Sequence, residues 1–246
     1  MNKKILKPHQ EKAVDFLNNR IGGGLLMEMR LGKNLAIIRH LMRIGIAHAP
    51  NKTLYITQVS AIRSIEEELT DEGITNTTLD GPRNKRIQAL TKAMSTGGWV
   101  ICNYESVERL GLHLFHWKSV ILDETIKIAN PKSSVTKYFL SSKWQHCKRK
   151  YILNGKVNPE NNMQICTQFM WLNGSFMGCS NFWQYRSRFY YQDGWEWKPK
   201  TGHTEQLFTY VRANAYVLTR KDANIGPDKI YKKRVLPMSP LLMKIL

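Results

Sequence analysis

An α/β fold built on a mainly parallel sheet follows from three observations on the sequence. Between Ile5 and Gly155, short apolar runs of strand type alternate with helical patterns. A turn containing Gly32 and Lys33 joins one apolar run to a helical one. A later apolar run, Val120-Ile121-Leu122, ends in the carboxylate pair Asp123-Glu124. Ligands of such sheets sit at the carboxyl ends of the strands, where both Lys33 and Asp123-Glu124 belong.

The elements follow in order. Pro8 suits a helix start, and Ala13, Phe16 and Leu17 recur at helical spacing, with Gln10 in the first turn. Gly22 to Ile38, GGGLLMEMRLGKNLAII, reads as strand, turn and helix. This is the layout of a phosphate-binding loop, in which backbone N–H groups cradle phosphates and the lysine adds a point charge. Lys33 would contact phosphate oxygens while the backbone from Met29 through Arg30, Leu31 and Gly32 to Asn34 wraps them. Met27 stands where G-x-x-x-x-G-K-[ST] has its first glycine, and Asn34 where a Ser or Thr hydroxyl would hold Mg²⁺. An amide oxygen can still ligate that ion or one of its waters. The plain alternative is a vestigial turn.

Lys52 to Thr57 is a buried-strand pattern, and Ser60 is placed to cap the helix IRSIEEEL. Ile74 to Leu79 reads as a short strand. Pro82 opens a helix that Gly97-Gly98 breaks, and WVICNY is a third strand. Ser119 to Glu124 is the strand that carries the carboxylates. Asp123 at a strand end can hold Mg²⁺ through water, and Glu124 can polarise an attacking water; the plain alternative is a pair of acidic caps. A helix follows Pro131, then a strand from Arg149 to Gly155.

From about Trp171 the chain becomes dense in rings, glycine and base. This stretch reads as an irregular or helical excursion that either packs as a private aromatic cluster or presents rings and cations outward. Arg186, Arg188, Tyr190, Tyr191, Trp195, Trp197, Lys198 and Lys200 form a set able to track a phosphate backbone and stack on bases. A helix from Thr204 to Val211 and a strand from Tyr216 to Thr219 return to the sheet. A basic stretch, Arg220 to Arg234, and PMSPLLMKIL follow.

The 246 residues are 42% hydrophobic, enough for one large or two modest folded domains. No apolar run approaches the roughly 20 residues that cross a bilayer, and MNKKILKPHQ lacks the apolar core of a secretory signal. Cys102, Cys147, Cys166 and Cys179 are scattered without CxxC spacing, which argues against zinc and fits a reducing, cytoplasmic compartment. The histidines show no metal spacing, and His113 and His116 read as ordinary surface or half-buried residues. Lys plus Arg number 37 against 19 acidic residues, a net charge of +18. A polyanionic partner, nucleic acid first, is the natural reading, against a merely solvated basic surface.

In their order these pieces resemble the first RecA-like lobe of a superfamily 2 helicase, specifically the Swi/Snf-type DNA translocases as carried by bacteria and phages. LKPHQEKAVDFL is similar to the glutamine motif, and LLMEMRLGKNLAII to motif I. TLYITQVSAIRSIEEEL is similar to motif Ia, WVICNYESVERL to the Ib region, and VILDETIKIANPKSSVTK to motif II. YILNGKVNPE is similar to motif III, and VLTRKDANIGPDKIYKKRVLPMSP to the segment joining two lobes. The resemblance implies ATP and Mg²⁺ as cofactors, with Gln10 reading adenine, Lys33, Asp123 and Glu124 catalytic, and Asn34 and Asp123 toward the metal. It implies duplex DNA as partner, through Gln58, Ser60 and Arg63 and, on the excursion, Arg186, Arg188, Lys198 and Lys200. The corresponding division is a RecA-like ATP-binding lobe over 1–172, an aromatic and basic insertion over 173–212, and over 213–246 a return to the lobe and the start of a linker to a second lobe. The cytoplasm of a bacterial or phage-infected cell is the expected location.

The departures are Asn34, Gln58 where a proline is usual, Ile126 in place of a motif II histidine, and motif III, where Asn154 and Lys156-Val157-Asn158 replace threonines before Pro159. The chain also stops where a second lobe, which supplies arginine fingers in this family, is expected. Loss of such an arginine lowers rates by roughly 10³–10⁵. Two functions are therefore carried forward. One is the ATP-binding lobe of a duplex-DNA translocase; the other is a degenerate lobe that binds DNA or a protein as inhibitor or adaptor without turnover.

Overall fold

The computed structural model describes residues 4–155 and 162–224. Motif III beyond Gly155 (Lys156, Val157, Asn158, Pro159), the basic stretch beyond Asn224 and PMSPLLMKIL lie outside the described residues.

The strands are β1 (Gly23–Met27), β2 (Lys52–Thr57), β3 (Asn76–Thr78), β4 (Gly98–Asn103), β5 (Ser119–Asp123), β6 (Lys150–Asn154), β7 (Tyr190–Asp193), β8 (Glu196–Pro199) and β9 (Ala215–Leu218). The helices are α1 (Pro8–Asn18), α2 (Lys33–Arg43), α3 (Ile62–Asp71), α4 (Arg83–Thr96), α5 (Tyr104–Arg109), α6 (Ser134–Leu140), α7 (Ile165–Asn173), α8 (Phe182–Phe189) and α9 (His203–Asn214). Seven strands form one sheet in the order β3-β4-β2-β5-β6-β1-β9, every neighbouring pair parallel. β7 and β8 form a separate antiparallel hairpin, so the stretch expected to be irregular or helical carries two strands as well as α8.

Both faces of the sheet are covered, so its strands are apolar on both sides, as parallel sheets require. Leu54 and Ile56 of β2, with Val120 and Leu122 of β5, face a core shared with α4 to α9. Tyr55 and Ile121 face the opposite core, which α1, α2 and α3 close through Ala13, Leu17, Ile37, Leu41, Ile65 and Leu69. The first core continues without a break through Phe176, Tyr185 and Tyr190 to Leu207 and Val211.

β1 lies between β6 and the edge strand β9, and its glycines make that packing possible. A Cβ on Gly24 would meet the Ala215 Cβ at 2.7 Å, and one on Gly23 would meet Leu17 Cδ2 at 2.8 Å. The run Gly22-Gly23-Gly24 therefore serves close approach between strands and helix.

One local expectation is overturned. Ser60 does not cap the helix after β2. It sits inside a 3₁₀ turn, Val59–Ala61, that begins at Gln58; α3 starts at Ile62, and its N-cap, Ala61, has no side-chain cap. Two shorter corrections belong with it. Tyr104 opens α5 with Asn103 as cap, and β5 ends at Asp123, with Glu124 in a left-handed conformation at φ 52°.

His40 of α2 is fully buried. Its Nδ1 lies 2.9 Å from Asn18 Oδ1 and its Nε2 lies 3.0 Å from the Tyr151 hydroxyl. Burial, reinforced by Arg149 and Arg43, pushes its pKa down to about 4. The unfolded chain, with His near 6.5, therefore takes up this proton first as pH falls. Stability is full above pH 6.5 and drops between there and pH 4, by up to about 3 kcal/mol. Urea midpoints followed from pH 7 to 5 are expected to fall, and to fall less in His40→Gln.

Candidate functional site

After β1 the chain turns through Glu28 to Gly32 and enters α2 at Lys33. Glu28 anchors the turn: its N–H donates to Leu218 O at 3.1 Å, and its carboxylate accepts from Arg220 N at 2.7 Å. Arg30 and Gly32 both have positive φ, 70° and 74°. The turn is held from behind by α1. Gln10 Nε2 donates to Leu31 O at 3.3 Å and Gly32 O at 3.4 Å, while Gln10 Oε1 accepts from Lys7 N at 2.8 Å. His9 Nε2 lies 3.0 Å from Leu31 O. A Cβ on Gly32 would fall 2.0 Å from Gln10 Nε2, so this position excludes side chains both by conformation and by contact. In a trans peptide N–H opposes C=O. With the Leu31 and Gly32 carbonyls turned to α1, the N–H groups of Gly32 and Lys33 point the other way. They join the donors that the first turn of any helix leaves without an intrahelical acceptor.

Three chain segments meet at the mouth of this turn. Lys33 Nζ pairs with Glu124 Oε1 at 3.2 Å, the two side chains being 14% and 20% exposed. The end of β6 closes the third side: a Cβ on Gly155 would lie 3.5 Å from Glu124 Oε1 and 3.6 Å from Lys33 Nζ. Asp123, 3% exposed, sits beneath. Its Oδ2 accepts from the Thr57 hydroxyl at 3.0 Å and its Oδ1 from the Glu124 N–H at 3.0 Å, and Tyr104 donates to its backbone carbonyl at 2.7 Å. Burial raises the Asp123 carboxyl above its ordinary range, with the nearby Lys33 charge acting against it.

Asn34 Oδ1 accepts from the Tyr55 hydroxyl at 3.0 Å. Tyr55 and Thr57 are contacts the sequence reading did not single out. Their signal was present as two polar side chains at i and i+2 on one face of an otherwise apolar strand.

The residues expected to meet nucleic acid fall into two groups. Gln58, Ser60 and Arg63 follow directly from Thr57; Ser60 is exposed, and Arg63 pairs with Glu67 at 3.0 Å on the surface of α3. Arg186, Arg188, Lys198 and Lys200 belong to α8 and the β7-β8 hairpin, and they are engaged there. Arg186 lies over the rings of Trp197 at 4.1 Å and Trp183 at 4.8 Å, and Arg188 over Phe189 at 5.3 Å. Lys198 pairs with Asp193, and Lys200 Nζ donates to the Ser187 and Arg188 carbonyls at 3.1 and 2.9 Å. The rings divide. Phe176, Tyr185, Tyr190 and His203 pack on one another inside, while Trp195 is fully exposed at the hairpin tip and Trp183 and Tyr191 are about half exposed. No helix among the described residues is long and apolar enough to cross a membrane.

No protein-family model matches the chain. It is 30% identical over 191 residues to the DNA excision repair protein ERCC-6-like of Danio rerio, an alignment covering 71% of this chain and 13% of that one. The Bos taurus and Homo sapiens proteins of the same name are 28% and 27% identical over 189 and 186 residues. The chain thus spans about an eighth to a seventh of the length of these relatives, 13–15%. Among solved structures it superposes on the Sulfolobus solfataricus SWI2/SNF2 ATPase core in complex with dsDNA, with TM-score 0.72 and 20% identity, over 91% of this chain and 46% of that one. A second structure, the Sulfolobus solfataricus SWI2/SNF2 ATPase core domain, gives TM-score 0.71 and 21% identity over 93% and 47%. Sequence likeness and fold agree: this chain has a RecA-like α/β fold and is similar to the SWI2/SNF2 ATPase cores.

Proposed function

We propose that this lobe binds ATP with Mg²⁺ at the mouth formed by the Gly32-Lys33 turn, Asp123-Glu124 and Gly155, and couples that binding to contact with duplex DNA as half of a translocase. The observation that carries this reading is the convergence of Lys33, Glu124 and Asp123 beside a helix N-terminus at the carboxyl end of a parallel sheet. That combination serves phosphate transfer better than any other chemistry: outward N–H groups and one lysine for phosphate oxygens, and carboxylates beside them.

The residues present suit Mg²⁺. Asp123, Glu124 and Asn34 offer only oxygen and amide donors, the hard set this ion takes. The two hydroxyl and N–H contacts on Asp123 leave lone pairs free on its carboxylate. Asp123 would hold the ion through water, and Asn34 would complete the set. Bound there, Mg²⁺ neutralises phosphate charge and polarises the transferred group. Lys33 takes the β- and γ-phosphate oxygens, Glu124 orients the attacking water, and Gln10 links the nucleobase side of the site to the loop it already holds. Arginines from a second lobe complete turnover, so this lobe alone binds nucleotide and hydrolyses it slowly.

Calorimetric titration of ATP with and without Mg²⁺ tests the reading. Binding in the ordinary micromolar to millimolar range supports it, and absence of heat at millimolar nucleotide in either buffer overturns it. Lys33 must leave Glu124 to meet phosphate, so Glu124→Gln is expected to tighten binding roughly two- to tenfold while lowering hydrolysis. Unchanged affinity would mean the ion pair does not compete.

For duplex DNA, the +18 charge predicts an affinity that falls steeply with salt and depends little on sequence. Each phosphate contact adds about −0.9 to the slope of log K against log salt. Fluorescence anisotropy from low to moderate salt reads that slope directly, and a flat response removes DNA from the proposal.

A further inference from the structure

Tyr55 is fully buried on β2, its ring stacked on Trp99 with centroids 6.0 Å apart. A phenylalanine would fill this place without a hydroxyl to satisfy, and a buried hydroxyl is unfavourable unless it is bonded. Here the hydroxyl donates to Asn34 Oδ1 at 3.0 Å, near the Asp123 carboxylate. Thr57, two residues on, donates to Asp123 Oδ2 at 3.0 Å.

Asn34 is where a phosphate-binding loop has the Ser or Thr that reaches Mg²⁺. In this chain the loop position has lost its hydroxyl. The hydroxyl that holds this position comes instead from β2, the strand whose Thr57 holds Asp123.

We propose that the Tyr55 phenol takes over from the missing loop hydroxyl: Tyr55 is a positioning residue that fixes the Asn34 amide, as Thr57 on the same strand face fixes Asp123, so that the two accept hydrated Mg²⁺ beside a bound nucleotide. The proposal rests on the nucleotide reading above. It explains why an asparagine is found at this point of the loop together with a tyrosine inside a buried strand. Tyr55 touches neither phosphate nor the reacting atoms; it acts through Asn34.

The test is the ratio of ADP affinity with Mg²⁺ to that in EDTA, measured by calorimetry on the full chain. Tyr55→Phe is expected to lower this ratio about tenfold and to leave the EDTA affinity unchanged. Restoring the loop hydroxyl with Asn34→Thr should make the phenol dispensable: Asn34→Thr/Tyr55→Phe should return to within about threefold of the unaltered ratio. Asn34→Ala, which keeps Tyr55, should lose the ratio to the same extent as Tyr55→Phe, and it carries the test by itself if Tyr55→Phe does not fold. An unchanged ratio in Tyr55→Phe or in Asn34→Ala overturns the proposal. So does an equal loss from Tyr55→Phe with and without Asn34→Thr, because a hydroxyl that only supports the core cannot be replaced from the loop. If the unaltered chain binds no ADP in either buffer, the nucleotide reading fails first; if it binds and the variants change nothing, this proposal alone fails.

Discussion

Lys33→Ala strongly weakens nucleotide binding in any titration that registers it for the unaltered chain. Two effects add. The first is loss of charge-assisted hydrogen bonds to phosphate oxygens, each worth about 1.5–3 kcal/mol. The second comes from the neighbours. Lys33 is paired with Glu124 and also lies close enough to Asp123 to oppose the rise in its pKa. With Lys33 the three formal charges sum to −1; without it they sum to −2, facing a polyanion. Together the effects should weaken binding roughly 10²–10³-fold. The fold should survive. Lys33 occupies the first position of α2, where a positive charge opposes the helix dipole, and Glu124 is hydrated enough to stand alone. An unchanged thermal midpoint beside lost binding is therefore the expected pair of results. Lys33→Ala/Glu124→Gln should recover about tenfold of the affinity by removing the stranded carboxylate. Full affinity in Lys33→Ala would place the phosphates elsewhere.

The parts of the molecule that were readable in the sequence are those written locally. KTLYIT is β2 to the residue, because a strand covered on both faces is a continuous apolar run and its neighbours are turn formers. Asp123-Glu124 and Gly32-Lys33 were readable for the same reason, as short strings beside such runs. What escaped was settled at a distance. Gly24 needs to be glycine because of Ala215, a neighbour supplied by the last described strand. Gln10 was expected at the site by resemblance, but its grip on the loop carbonyls emerges only when α1 packs behind Gly32. Tyr55 looked like another apolar strand residue, since its hydroxyl acquires meaning only from Asn34, a partner on the loop after β1. The β7-β8 hairpin was hidden in a different way. Its Asp193-Gly194 turn is a strong hairpin signal and WEWK alternates ring and charge, but the YYQ arm shows no such alternation and the hairpin stands outside the main sheet.

Asp123→Asn should leave the chain more stable and its metal dependence gone. At neutral pH the folded chain holds a carboxylate that is 3% exposed, and burial is the main reason its pKa is raised. A raised carboxyl pKa means that folding favours the neutral form. The stability tied to that form is fully present below the unfolded value near 3.9 and is lost as pH rises through the folded value. The wild-type protein at pH 7 therefore carries a penalty that asparagine, neutral at every pH, does not. The exchange is nearly isosteric and the surroundings can follow it. The amide oxygen keeps the Glu124 N–H, while the Thr57 hydroxyl, which now donates to Oδ2, can turn and accept from the new NH₂. A gain of about 1 kcal/mol, or roughly 2–4 °C in Tm for a chain of this size, is expected in buffer without metal. The gain should shrink as pH falls toward and below the unfolded carboxyl value near 3.9, where folded and unfolded chains both become protonated at this site. In the same variant the difference between nucleotide affinity with Mg²⁺ and with EDTA should vanish, since the buried ligand for the hydrated ion is gone. Paired melting and titration curves across pH distinguish this from a structural role. A site residue held under strain for its chemistry gives opposite signs in stability and in metal-dependent binding, whereas a purely structural Asp123 would lose both together.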